Sequence, residues 1–234
     1  MLERLEKLQR LRGALARHEG RDADYQLRLK AVKTWQQQRL RRTYADLAAD
    51  KRYAPAIAFF LDELYGLKDS TVRDHDLTRM YPTMKRLLPK FAFDAVDKAL
   101  ELDVLAEEFD QALADEMGSQ AVTEASYLKA FRAVGRREDR LRQIDLMQAV
   151  GEGLDRMVKK PLIFSTLKML RAPAKLAGLG EMHQFLEAGF TAFRYMNGAD
   201  DFLLTVASRE TLLIERIMNG TLNPFAIKND RNPN

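Results

Sequence analysis

The segment that most constrains the fold is the most apolar run of the chain, which is followed at once by its densest mixture of opposite charges. Five apolar residues of this run recur at the spacing of one helical face: Tyr53, Ile57, Phe60, Leu61 and Leu64. Further apolar residues lie beside them, so the apolar surface covers more than half of the helix, as it does in buried helices. We therefore predict a central helix from Pro55 to Tyr65, with a turn at Gly66.

The rest of the chain predicts helices and no sheet. No segment shows a sustained two-residue alternation of apolar and polar residues, and the 234 residues include only 12 Gly and 7 Pro. We expect an all-α, bundle-like fold of about eight to ten helices. We divide it into a basic N-terminal helical pair (1–52) that packs on or pairs with the body, a main helical bundle (53–220) and a polar C-terminal tail (221–234).

A polar cluster follows the central helix. One interpretation is a ligand site at the mouth of the apolar core, in which arginines hold an anion. Its candidate residues are Phe59, Phe60, Tyr65, Arg73, Asp74 and Arg79. The alternative is a helix cap at Ser70 or Thr71 with surface ion pairs, which is the commoner arrangement. Residues 136–142 form a second segment that is rich in both acidic and basic side chains, and we expect this segment to be exposed.

Three sequence segments occur in order between Tyr53 and Pro89: FFLDELYG, RDHD and YPTMKRLLP. They resemble a family of helical bacterial proteins with the pattern FFLxELYG…RDxDL…P…LP, and residues 178–196 carry a looser likeness. The resemblance implies a bacterial, all-helical, intracellular protein. It implies no particular activity, substrate or cofactor.

The N-terminal region is unusually basic. Residues 1–52 hold 14 Lys or Arg and 7 Asp or Glu, whereas the whole chain has a net charge of only +4. Leucines form a stripe along the first helix: Leu2, Leu5, Leu8, Leu11 and Leu15. This stripe suits packing on the body or pairing with a second copy better than a membrane surface, because Glu is mixed into the polar face. The leading hypothesis is a non-enzymatic interaction module that self-associates.

The second helix carries a basic face that is a candidate for non-specific nucleic-acid binding. Its cations are Arg28, Lys30, Lys33, Arg39, Arg41 and Arg42, with Trp35 and Tyr44 interleaved. The alternative is a solvated face of an amphipathic helix, and charge patterning favours it. We expect a homo-oligomer or a protein partner ahead of nucleic acid.

The sequence contains no familiar catalytic or metal-binding motif. There is no Cys, and none of His18, His75 and His183 has a Glu three residues before it, as di-iron bundles require. GxSxG, HExxH and phosphate-binding glycine loops do not occur. We therefore expect no catalytic residue, no metal and no cofactor, and read His183 as a core histidine. With no Cys and no apolar segment of a signal peptide at the N-terminus, we expect a cytoplasmic protein. With no apolar run of 18 residues, we expect no membrane partner.

Overall fold

The computed structural model describes residues 1–17, 23–64, 71–87 and 90–226, and in this part of the chain the fold is all-α, with twelve helices and no strand. The helices are α1 (Leu2–Arg17), α2 (Ala23–Thr43), α3 (Ala45–Ala49), α4 (Ala54–Phe59), α5 (Thr71–Leu87), α6 (Lys90–Met117), α7 (Glu124–Val134), α8 (Arg137–Val158), α9 (Pro161–Met169), α10 (Arg171–Leu176), α11 (Gly180–Met196) and α12 (Asp200–Met218). A π-helical turn (Phe60–Leu64) continues α4. The predicted fold class is confirmed.

The longest helix, α6, is the centre of the packing. It contacts α1, α2, α7 and α8, and α8 in turn contacts α12 and α11. α6 ends at Met117, and Gly118, which follows it, has a positive φ of 53° that glycine adopts without strain. Around α6 the helices enclose both the core and the cavity described below.

The first helix packs on the body. Leu5 and Leu8 are each 0% exposed and lie in one cluster with Leu100 and Val104 of α6. Leu2 remains 41% exposed. Leu5 and Leu8 of the N-terminal stripe therefore pack within the chain and contribute to its core.

The central apolar segment is buried as predicted, but it is not one α-helix. Phe59 and Leu61 are 8% and 6% exposed. The α-helix ends at Phe59, and the next five residues form the π-helical turn. Gln37 of α2 donates a hydrogen bond of 2.8 Å to the carbonyl of Leu61. Such turns are rare and recur at functional sites.

Two other features differ from the sequence-based picture. The described residues form twelve helices where eight to ten were expected, because α3 and α10 have only five and six residues and are too short to show a period. The first residues of the tail also pack on the body. Pro224 is fully buried, and the ring of Phe225 lies edge-on to Trp35 at 5.8 Å.

Candidate ligand cavity

A cavity of about 140 Å³ lies inside the bundle, between α2, α4, α6, α7, α8, α12 and the π-helical turn. We call it the central cavity. Its apolar wall includes Leu40, Ile57, Phe60, Leu61, Leu102, Ala106, Leu113, Ile144, Met147, Phe202, Val206 and Ile214. Its polar lining is Gln36, Arg39, Tyr44, Asp110, Tyr127, Arg140, Gln143 and Glu210. The many polar groups distinguish it from an ordinary packing defect, which is apolar.

Arg39 and Glu210 form an ion pair in the lining of the cavity. Nη1 of Arg39 lies 2.6 Å from Oε1 of Glu210, and the hydroxyl of Tyr44 donates to the same oxygen at 2.8 Å. Burial lowers the pKa of Arg39, but the charge and hydrogen bond of Glu210, together with Tyr127 and Tyr44, more than offset this, so the pKa of Arg39 is raised overall. Burial, and then Glu210, raise the pKa of Tyr44 well above its ordinary value. The pair joins α2 to α12 and carries no net charge.

Arg140, in contrast to Arg39, has no carboxylate paired with it among the described residues. It is 5% exposed, and its guanidinium carbon lies 4.2 Å from the ring centroid of Phe109 and 3.5 Å from that of Phe131. Its Nε donates to the carbonyl of Gly135 at 2.9 Å, whereas its Nη2 has no hydrogen-bond partner among the described residues. Burial lowers the pKa of Arg140 to about 10, so the group is cationic at neutral pH.

No carboxylate of the described residues forms an ion pair with Arg140. A buried cation without a paired anion is costly, because desolvation is not repaid by a close opposite charge. The two phenyl rings stabilise the guanidinium through their π faces, but they leave its hydrogen-bond donors unused. Arg140 therefore lines the cavity as a buried cation that has no ion-pair partner among the described residues and whose Nη2 is an unused donor. Nε of Arg39 also lacks a hydrogen-bond partner, but its guanidinium is paired with Glu210.

Asp110 is the second carboxyl group that lines the cavity, in addition to Glu210. Its Oδ1 accepts a hydrogen bond of 2.6 Å from Gln36, and its side chain is 18% exposed with Nζ of Lys33 at 3.9 Å. Burial raises the pKa of Asp110 to about 6; Lys33 opposes the shift, and Glu107 and Asp103 add to it. The cavity thus gains a proton donor as the pH falls through about 6.

Of the candidate ligand-site residues whose side chains the structure describes, which are Phe59, Phe60 and Arg79, only Phe60 lines the central cavity. Phe59 lines a shallow groove between α4 and α11. Arg79 is exposed, and its Nη2 donates to the carbonyl of Ala177 at 3.3 Å. Tyr65 lies outside the described residues, and Arg73 and Asp74 belong to α5, where their side chains are outside the description.

Sequence reasoning missed the residues that give the cavity its chemistry. Residues 136–142 were read as an exposed charge mixture, and this was wrong for Arg140, which is buried. The usable signal was its spacing, because Ile144 and Met147 follow Arg140 by four and seven residues and belong to the same inward face of α8. Asp110 was likewise not among the candidate residues taken from the sequence.

The basic face proposed for nucleic acid is largely engaged with the protein itself. Nζ of Lys33 lies 3.0 Å from Glu107, Arg39 faces the cavity, and Nη2 of Arg41 lies 2.7 Å from Asp62. The remaining members are Arg28, whose guanidinium lies 5.5 Å from the ring centroid of Tyr25, and the exposed Lys30 and Arg42.

The aromatic residues of this face point inward. Trp35 stacks on Tyr127 at 3.9 Å between ring centroids, and Tyr44 is 4% exposed. Since base stacking requires accessible rings, the described side chains offer phosphate contacts only. Nucleic-acid binding by this face stays a prediction.

Together the fold and the site define an all-helical protein with an internal, partly polar cavity. The chain belongs to the family described as Domain of unknown function (DUF8198), whose model matches residues 15–224 and so includes every residue that lines the cavity. A search of curated proteins found no match. A comparison with solved structures found none either.

None of the helices in the described part of the chain is long and apolar enough to cross a membrane. Within the same residues, no three His, Cys, Asp or Glu side chains come together as a metal site would require.

Proposed function

We propose that this protein binds a small organic anion in the central cavity, and specifically a carboxylate with an apolar body. The observation that carries the proposal is Arg140, a buried cation that lines the cavity and has an unused guanidinium donor. A bound carboxylate would accept that hydrogen bond and supply the missing opposite charge. Hydrogen bonds between charged partners are roughly twice as strong as those between neutral ones.

The dimensions of the cavity limit the ligand. Its volume of about 140 Å³ is close to the roughly 150 Å³ of an engineered apolar cavity that holds a benzene molecule. The apolar wall, which includes Phe60 and Phe202, suits a ring or a short alkyl chain. A benzoate or a six-carbon fatty acid is therefore the appropriate probe.

Asp110 couples the proposed binding to protonation. Its anionic form would repel a bound carboxylate, whereas its protonated form would donate a hydrogen bond to one. Because the pKa of Asp110 in the free protein is about 6, the affinity for a carboxylate should fall as the pH rises above that value. We thus expect the protein to bind its ligand as an anion and to have its highest affinity in mildly acid solution.

Isothermal titration calorimetry with benzoate tests the proposal, with benzyl alcohol as the uncharged analogue. Arg140→Met should lower the affinity for benzoate by about tenfold or more, since a charge-assisted hydrogen bond contributes roughly 1.5–3 kcal/mol. Arg142→Met is the matched control, because Arg142 lies on the same helix but is 53% exposed and pairs with Glu101. The proposal fails if Arg140→Met binds benzoate as tightly as the native protein, or if benzyl alcohol binds equally well.

We further infer a bacterial, cytoplasmic protein. The resemblance of residues 53–89 supports the origin, and the absence of Cys from all 234 residues is compatible with a reducing compartment. Self-association also stays a proposal. The burial of Leu5 and Leu8 within one chain leaves less of the leucine stripe available for it.

A further inference from the structure

A second surface of the molecule combines protruding apolar side chains with uncompensated positive charge. We call it the α9–α10 surface and define it by Leu162, Met169, Leu170 and Leu176 together with Lys160, Lys168 and Lys175. It is separate from the central cavity, and none of its residues lines that cavity.

One face of α9 anchors it to the body, and α10 contacts α9 and α11. Ile163, Phe164 and Leu167 pack against the core cluster that contains Phe193 and Phe202. The opposite face of α9 carries Leu162 and Met169, seven residues apart and therefore on the same side. Leu162, Met169 and Leu176 are 79%, 78% and 90% exposed. Side chains this exposed project from the surface and do not line a recessed groove.

The charge around these side chains has one sign. Residues 159–178 contain five Lys or Arg and no Asp or Glu. Two of the five cations are neutralised locally, because Nζ of Lys159 lies 2.5 Å from Asp155 and Arg171 pairs with Glu187. Lys160, Lys168 and Lys175 form no ion pair with any residue that the structure describes. Three positive charges thus border the projecting apolar side chains.

We propose that the α9–α10 surface docks the protein on an anionic lipid membrane. Leucine and methionine side chains that project from a short helix can enter the headgroup region, where their apolar surface leaves water. Lysines near an anionic membrane surface are attracted to it electrostatically. Residues 159–178 themselves contain no Asp or Glu, and the neighbouring carboxylates Asp155 and Glu187 are each held in an ion pair with Lys159 or Arg171.

The features of this surface favour lipid over a protein partner. The centre of a protein–protein interface is typically enriched in aromatic residues and depleted in lysine. The outward residues here are aliphatic, and the surface carries lysines at 160, 168 and 175. The expectation of no membrane partner was based on spanning segments and on the N-terminal helix. Contact through α9 and α10 requires neither.

Co-sedimentation with vesicles tests this proposal on the full chain. The native protein should sediment with phosphatidylcholine vesicles that contain phosphatidylserine, should not sediment with pure phosphatidylcholine, and should be released by high salt. Two variants separate the contributions: Leu162→Ser/Met169→Ser/Leu176→Ser removes the apolar part, and Lys160→Gln/Lys168→Gln/Lys175→Gln removes the charge. Each should lower vesicle binding by about tenfold or more.

The matched control is Leu204→Ser/Leu212→Ser on α12. These leucines are 63% and 41% exposed, so the control also replaces exposed leucines, but away from the lysines. It should bind vesicles within about twofold of the native protein, and thermal unfolding should show that all variants are folded.

The proposal is overturned if the native protein does not sediment with phosphatidylserine vesicles at low salt, or if the apolar variant binds as well as the native protein. A different result would also overturn it. If sedimentation velocity shows that the native chain self-associates, that the apolar variant is monomeric and that neither binds vesicles, then the surface is an interface between copies.

Discussion

Arg39 and Arg140 both line the central cavity, yet their replacement should affect stability differently. Arg39→Met leaves Glu210, whose side chain is 19% exposed, without its cation. Breaking a fully buried pair costs about 3–5 kcal/mol of the free energy of unfolding, and we expect a loss near the lower end of that range here. Arg140→Met leaves no carboxylate unpaired. The loss of its contacts with two phenyl rings is offset by the removal of a buried charge, so the change should stay within roughly 1.5 kcal/mol. Urea denaturation measures both values, and equal losses would contradict the assignment.

Asp110 should make the protein less stable as the pH rises. Its pKa is raised from 3.8 to about 6 in the folded state, so the folded chain binds the proton more tightly than the unfolded chain. The free energy of unfolding therefore falls between about pH 4 and pH 6, by roughly 2–3 kcal/mol from this group. Asp110→Asn should be the more stable protein at pH 8 and nearly equal to the native protein at pH 4.

Asp115→Asn is the control for this prediction, because Asp115 is exposed near the end of the same helix. Its effect should stay below about 0.5 kcal/mol at both pH values. A native protein whose stability relative to Asp110→Asn is the same at pH 4 and pH 8 would contradict the predicted titration.

At the scale of single residues, the sequence predicted apolar burial far better than polar burial. Phe59 and Leu61 are buried because they belong to a run that is apolar on several faces. Arg140 looked like a surface residue, since five charged residues surround it within residues 136–142. Its burial depends on Phe109 and Phe131, which come from two other helices, and no local pattern encodes that contact.

At the scale of helices, α8 and α12 cross so closely that one glycine is required. A Cβ built on Gly151 would lie 2.3 Å from Cδ2 of Leu203. Gly151→Ala should therefore destabilise the protein by about 1–3 kcal/mol, although alanine is the better helix former. Gly180→Ala is the control, because a Cβ there meets nothing within 4 Å.

Thermal unfolding provides the measurement for both glycine variants. The midpoint of Gly151→Ala should fall by several degrees, and that of Gly180→Ala should stay close to the native value. A Gly151→Ala protein as stable as the native one would show that α8 and α12 are less closely packed than described.

Helix boundaries were predictable where local chemistry decides them. The long helix α6 and the start of α7 agree with the sequence pattern, and Thr123 caps α7 by accepting a hydrogen bond from the amide of Ser126. The π-helical turn was not predictable, because its Leu61 carbonyl is bonded by Gln37 of a different helix. Elements that depend on such distant contacts have no local signal.

At the scale of the whole molecule, α1 behaves as part of the core. Leu8 is 0% exposed beside Leu100 and Val104. Leu8→Ala should cost about 2–5 kcal/mol of the free energy of unfolding, as a large-to-small core substitution does. Leu2→Ala, at a 41% exposed position of the same stripe, should cost much less. Both variants should keep the native sedimentation coefficient, and a change of oligomeric state in Leu8→Ala would instead place this leucine between copies.

We propose that a carboxylate occupies the cavity beside Arg140, and a crystal structure of the protein grown with benzoate is the most direct test. We expect density for the ring against the apolar wall and a carboxylate oxygen within hydrogen-bond distance of Nη2 of Arg140. A cavity that holds only water at saturating benzoate, with Arg140 still lacking an anion, would contradict the claim.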